Sequence, residues 1–137
     1  MKILVAVDPS DSVHLPVSRA VAMAKQEGAS LTLLSVAETV EDMESLFVGE
    51  YTEWIKKRAS QALDAAQAMA KAAGVPATVL LEAGASPAEF IVDAAESTKA
   101  DLVVMGTRGK KGVGRLLLGS VAGKVVSLAP CSVMVVR

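Results

Sequence analysis

Residues 101–128 read DLVVMGTRGKKGVGRLLLGSVAGKVVSL. An apolar run, Leu102–Met105, gives way to a stretch with five glycines and four cations (Gly106–Ser120), and apolar character resumes from Val121 to Leu128. The first run shows no polar alternation. A strand buried on both faces reads this way, and such strands belong to parallel sheets covered by helices. The second run closes a stretch, 114–128, that is long enough for a helix. A strand that feeds a helix through a glycine-rich turn is half of a strand–helix–strand unit, and the rest of the chain repeats the theme.

Working outward, Lys2–Val7 (KILVAV) is a strand ended by Asp8-Pro9. Val17, Ala20, Val21 and Ala24 recur at helical spacing and stop near Gly28; Pro16 is tolerated only in the first turn of that helix. Leu31–Val36 (LTLLSV) is the second strand. Trp54, Ile55, Ala59, Leu63, Ala66 and Ala70 then trace one face of a helix ending at Gly74. Ala77–Leu81 is the third strand, and Ser86 as N-cap, Pro87 at the first position and Glu89 in capping-box register open a third helix. Asp101–Met105 is the fourth strand, spacing alone puts the fourth helix over 114–128, and Ser132–Val136 (SVMVV) is the last strand. The alternation predicts a single doubly wound α/β domain over residues 1–137, a five-stranded parallel sheet with helices on both faces.

Composition agrees. The 137 residues are 52% hydrophobic but only 3% aromatic, so the core is built from aliphatic side chains. No apolar run approaches the ~20 residues that span a bilayer, and Met1-Lys2 leads straight into a strand; a soluble, cytoplasmic protein is expected. Single Cys131 excludes an internal disulfide and reads as a small buried hydrophobe. Beyond Asp101 there is no acid, only Arg108, Lys110, Lys111, Arg115, Lys124 and Arg137, whereas the first 101 residues hold 15 acids against 8 bases. A local positive field on an acidic chain favours a small anion over a nucleic-acid track, and no aromatic side chains interleave with the basic loop.

In open α/β sheets, ligands bind beyond the carboxyl ends of the strands. Of the loops there, only Gly106–Gly114 is both glycine-rich and basic. Two familiar phosphate loops fail: Gly119–Val125 (GSVAGKV) is one residue short of a Walker A motif and ends in Val, and the turn after the first strand (DPSDS) has no glycine. What remains is Gly106-x2-Gly109-x9-Gly119-Ser120. Glycines let amides approach oxyanions, and a helix N-terminus adds partial positive charge.

With ILVAVDPS at the start, LTLLSV, DLVVMGTRG, LLLGSVAGKVV and a closing APCSVMVVR, this spacing resembles the nucleotide-binding branch of the universal stress protein family. The resemblance covers the whole chain, and its specific part is the spaced glycines with the Gly-Ser pair. It implies strand order 3-2-1-4-5 and a fourth helix starting near Ser120. Asp8 resembles the ribose-hydroxyl ligand, Val36, beside Val7, the adenine-side contact, and Met105 the other wall of the base pocket. Gly106, Gly109, Gly119, Ser120 and the Val121 amide resemble the phosphate cradle, which Arg108 could reach. The implied cofactor is ATP or another adenine nucleotide, and any magnesium would be held by phosphates, Asp8 or Ser120.

Plainer roles stand beside these. Asp8 could cap the first helix, Ser120 is an N-cap on either account, and His14 reads as a surface residue near a helix start. Glu38–Glu53 is either a lid over the base pocket or a solvated loop. Two functions remain open: a regulatory protein that binds adenine nucleotide and signals through partners, or a homodimeric interaction module of the same fold that binds none. No catalytic constellation is expected, at most incidental ATP hydrolysis. Dimerisation through the edge strand Ser132–Val136 is expected on both, because that strand has neither proline nor charge to protect it.

Overall fold

The computed structural model describes residues 1–11, 14–40, 45–107 and 118–137. Five strands, β1 (Lys2–Ala6), β2 (Ser30–Glu38), β3 (Ala77–Gly84), β4 (Leu102–Gly106) and β5 (Ser132–Val136), form one sheet of order β3-β2-β1-β4-β5. Every neighbouring pair is parallel. Helices α1 (Leu15–Glu27), α2 (Ser45–Ala72), α3 (Pro87–Ser97) and α4 (Ser120–Leu128) connect them.

Side chains alternate across the pleat, so each central strand feeds two cores. Ile3, Val5, Leu31, Leu33 and Val104 pack under α1 and α2, against Val17, Ala20, Leu63 and Ala66. Leu4, Leu34, Val103 and Met105 face the other way, onto Ile91 and Ala95 of α3 and Ala122 and Val125 of α4. Small alanines on the helices let them lie close to the sheet, which is how a chain nearly without aromatics fills its interior.

Several elements differ from the sequence reading in instructive ways. Pro16 sits at the second position of α1, where its missing N–H is no loss. Helix α2 starts at Ser45, well before the expected face at Trp54. From Phe47 to Trp54 none of its side chains is buried, so no apolar period marks those turns. Trp54 is not on the core face at all: it is 53% exposed, while Ile55, Ala59, Leu63, Ala66 and Ala70 are buried. Ser86 does cap α3 by position, but its side chain makes no capping bond. Its box partner Glu89 lies instead 3.9 Å from Lys124 Nζ of α4, an exposed pair worth little.

Candidate functional site

The end of β1 is fixed from inside the sheet. The Val7 amide donates to the Leu34 carbonyl (2.7 Å), and the fully buried Ser35 Oγ donates to the Val7 carbonyl (2.9 Å). Asp8, half-buried, leaves the sheet from this anchored point. Its Oδ1 accepts the Ser10 amide (2.8 Å) and the Ser10 hydroxyl (2.7 Å), and its carbonyl accepts the Asp11 amide (3.1 Å). This is an Asx-turn, not a helix cap. The N-cap of α1 is His14, in the left-handed region at φ 53°, with its amide on Asp11 Oδ1 (3.2 Å). Both Ser10 bonds thus fall on Oδ1 of Asp8.

Across the crevice, β4 ends at Gly106, in register with Val136 of β5. The Thr107 carbonyl accepts the Gly119 amide (2.7 Å), and the Gly119 carbonyl accepts the Gly123 amide (2.9 Å). Gly119 is thus the N-cap of α4, and Ser120 is its exposed first residue instead of the cap expected from sequence. The Gly119 amide is spent on Thr107, so the donors left at this helix start are the amides of Ser120, Val121 and Ala122, which have no carbonyl within the helix to reach.

Between the two ends lies a cavity of about 520 Å³, walled by Val7 and Asp8 of the β1 end, Val36 of β2, Met105 and Gly106 of β4, and Val121 of α4. That volume falls within the ~300–1,000 Å³ typical of small-molecule sites. It sits where the chain direction reverses: α1 after β1 leads to β2 on one side, and α4 after β4 leads to β5 on the other. Six of the sequence-named residues come together here. Gly119 and Ser120, which precede Val121 at the α4 start, are not among the lining residues, and Arg108 and Gly109 lie outside the described residues. No described residue of the 38–53 segment lines the cavity.

The structure adds walls that the sequence did not point to, including His14, Pro16, Thr107, Ile91 and Arg137. The register Gly106↔Val136 puts Arg137 beside Thr107, a neighbour relation visible only once the strands are paired. His14, expected at the surface, is half-buried. A Cβ on Gly106 would meet only Pro16 Cγ, at 3.8 Å, so the protein itself leaves room there.

Among the described residues, no three His, Cys, Asp or Glu side chains converge as a metal site. Cys131 is half-buried outside the cavity, and desolvation first, then Asp101, push its thiol above the usual cysteine range, against a smaller opposing effect of the Val103 backbone. No described helix is long and apolar enough to cross a membrane.

The profile of the universal stress protein family matches residues 1–137. The chain belongs to the universal stress protein family. Among universal stress proteins it is 44% identical to one from Thermus aquaticus, named for its position in the QAH/OAS sulfhydrylase 3′ region, over 98% of this chain and 97% of that one. The universal stress protein UspA from Lactobacillus plantarum superposes with a TM-score of 0.84 at 30% identity, over 100% of this chain and 97% of the other. A universal stress protein crystallised in complex with cAMP gives a TM-score of 0.75 at 29% identity, over 100% and 97% of the two chains.

Proposed function

We propose that this universal stress protein is a regulatory adenine-nucleotide-binding protein, with ATP or a related nucleotide as its ligand and the cytoplasm as its place of action. The observation that carries the reading is the cavity itself, where a carboxylate on a rigid β1 end faces the amide-bearing start of α4 across an apolar slot. Asp8 Oδ2 would accept from ribose hydroxyls, Val7, Val36 and Met105 would wall the base, and the amides of Ser120–Ala122 would meet phosphate, with Gly106 allowing close approach. Gly119 contributes by seating the helix. Arg108 and Gly109 are expected to complete the phosphate end. A magnesium ion would arrive with the phosphates as their counter-ion. The relative crystallised with cAMP supports an adenine ligand at this family's fold. We assign no catalytic step.

The signalling state we propose is a homodimer through β5. Val133, Met134 and Val135 are half-buried on an edge strand, so a second copy could add to the sheet about a two-fold axis.

The test is release and rebinding. Protein purified without added nucleotide is heat-denatured and the small molecules identified, and the melting temperature is measured with ATP, AMP and cAMP at millimolar concentration. An adenine nucleotide in the supernatant, or a melt raised by one of the three and not raised in Asp8→Asn, supports the proposal. No released nucleotide together with unchanged melting defeats it.

A further inference from the structure

We propose that the N-terminal half of α2 carries a second self-association surface, on which two copies of this chain pair antiparallel through an aromatic stripe. The chain has four aromatic residues. Phe90 packs against the core under α3 and α4; the other three lie on α2. Phe47 is 54% exposed and Trp54 53%; Tyr51 between them is half-buried, packs on Ala37, Ile55 and Ala59, and lies 5.9 Å from Trp54 between ring centroids with the planes tilted by 42°. The Arg58 guanidinium caps the stripe, 5.0 Å from the Trp54 ring centre. At 3.6 residues per turn, positions 47, 51, 54 and 58 fall within a strip about 60° wide. Two exposed aromatic rings held beside a third that is anchored to the core are the composition of an interface core, not of an ordinary helix surface.

The charges beside the strip select the occupant. Glu50 and Glu53 lie towards its N-terminal end, Lys57 and Arg58 towards its C-terminal end. Glu50 and Lys57 project along one flank, about 20° apart around the helix. A two-fold axis near the centre of the strip brings Tyr51 of one copy onto Trp54 of the other, and Glu50 of each towards Lys57 of its mate. An isologous contact demands such self-complementarity. An anionic membrane would meet Glu50 and Glu53 in the same row as the lysine, and an acidic or a basic partner would find half the flank repulsive. Because α2 covers β2 and β3 while β5 forms the opposite edge of the sheet, this contact and β5 pairing can be made together. The inference does not rest on nucleotide binding.

Trp54 is the sole tryptophan, so it reports on its own burial. The full chain is followed through a concentration series by sedimentation equilibrium and by iodide quenching of Trp54 fluorescence. We expect quenching to fall as mass rises. Trp54→Glu, at an exposed position and checked for folding by circular dichroism, should weaken this association by at least about 30-fold, as loss of an aromatic anchor does. Glu50→Lys and Lys57→Glu should each weaken it, and the double variant should recover most of the loss. Quenching that is independent of concentration overturns the proposal, as does unaltered mass in Trp54→Glu or a double variant no better than the singles. Protection of Trp54 by anionic vesicles but not by self-association also overturns it, in favour of a lipid surface.

Discussion

Ser35→Ala tests how the sheet holds the β1 end in place. Ser35 is the one buried polar side chain among the described residues, fully excluded from solvent, and its hydroxyl reaches the Val7 carbonyl at 2.9 Å. Removing the hydroxyl loses a hydrogen bond and leaves the carbonyl of Val7, a residue only 4% exposed, without that donor, together about 2 kcal/mol. For a domain of this size that is a fall of about 6–8 °C in melting temperature. Ser127→Ala supplies the control, because Ser127 Oγ also donates to a backbone carbonyl, Gly123, at 3.0 Å, but on the exposed side of α4. Water replaces that bond, and alanine is the better helix former, so a change within about 0.5 kcal/mol is expected. Both variants are compared with the parent by urea denaturation and by thermal melting. Equal effects, or a loss below about 0.5 kcal/mol for Ser35→Ala, would refute the reasoning, since burial would then not be what gives the bond its value.

Two further outcomes follow from local geometry. A Cβ at Gly84 would overlap the Phe90 ring, so Gly84→Ala should cost about 1–3 kcal/mol in chemical denaturation; a neutral result would show that the ring swings aside freely. Cys131, with its thiol pushed upward by desolvation and by Asp101, should react with a disulfide reagent more slowly than an unstructured cysteine peptide at neutral pH. Since the folded state then favours the neutral thiol, the unfolded chain ionises first as pH rises. Any contribution of Cys131 is therefore a loss of stability above the ordinary cysteine range, and an equal or faster reaction rate at pH 7 would contradict it.

The sheet was legible because buried parallel strands carry their own signature: ILVAV and LVVM are unbroken apolar runs, LTLLSV is interrupted only by Thr32 and Ser35, and Pro9 and Gly106 mark the ends of the first and fourth. The strand order came from the family resemblance, as periodicity holds no information about which strands are neighbours. The first turns of α2 escaped notice because Phe47–Trp54 has no fully buried side chain, and helices are found by the side they hide. The Ser86–Glu89 pattern matched a capping box in spacing, yet Glu89 faces Lys124 and Ser86 forms no cap bond. In the site, the loops holding Asp8 and Gly106 were readable from their places beyond strand ends, whereas Met105 and Val121 came from the family resemblance. His14 and Arg137 were not, because one depends on a left-handed residue preceding a helix and the other on β4–β5 register.

The bond from the Gly119 amide to the Thr107 carbonyl has a use outside ligand binding. It ties together the two ends of an eleven-residue interval, 108–118, and so fixes the end of β4 against the start of α4. Chain closed off in this way is cheap to lengthen: doubling such an interval costs only about 0.6 kcal/mol in closure entropy. On closure entropy alone, the stretch 110–117, which spares Arg108, Gly109 and Gly119, is a place to splice in a foreign peptide, a fluorescent tag or a recognition epitope.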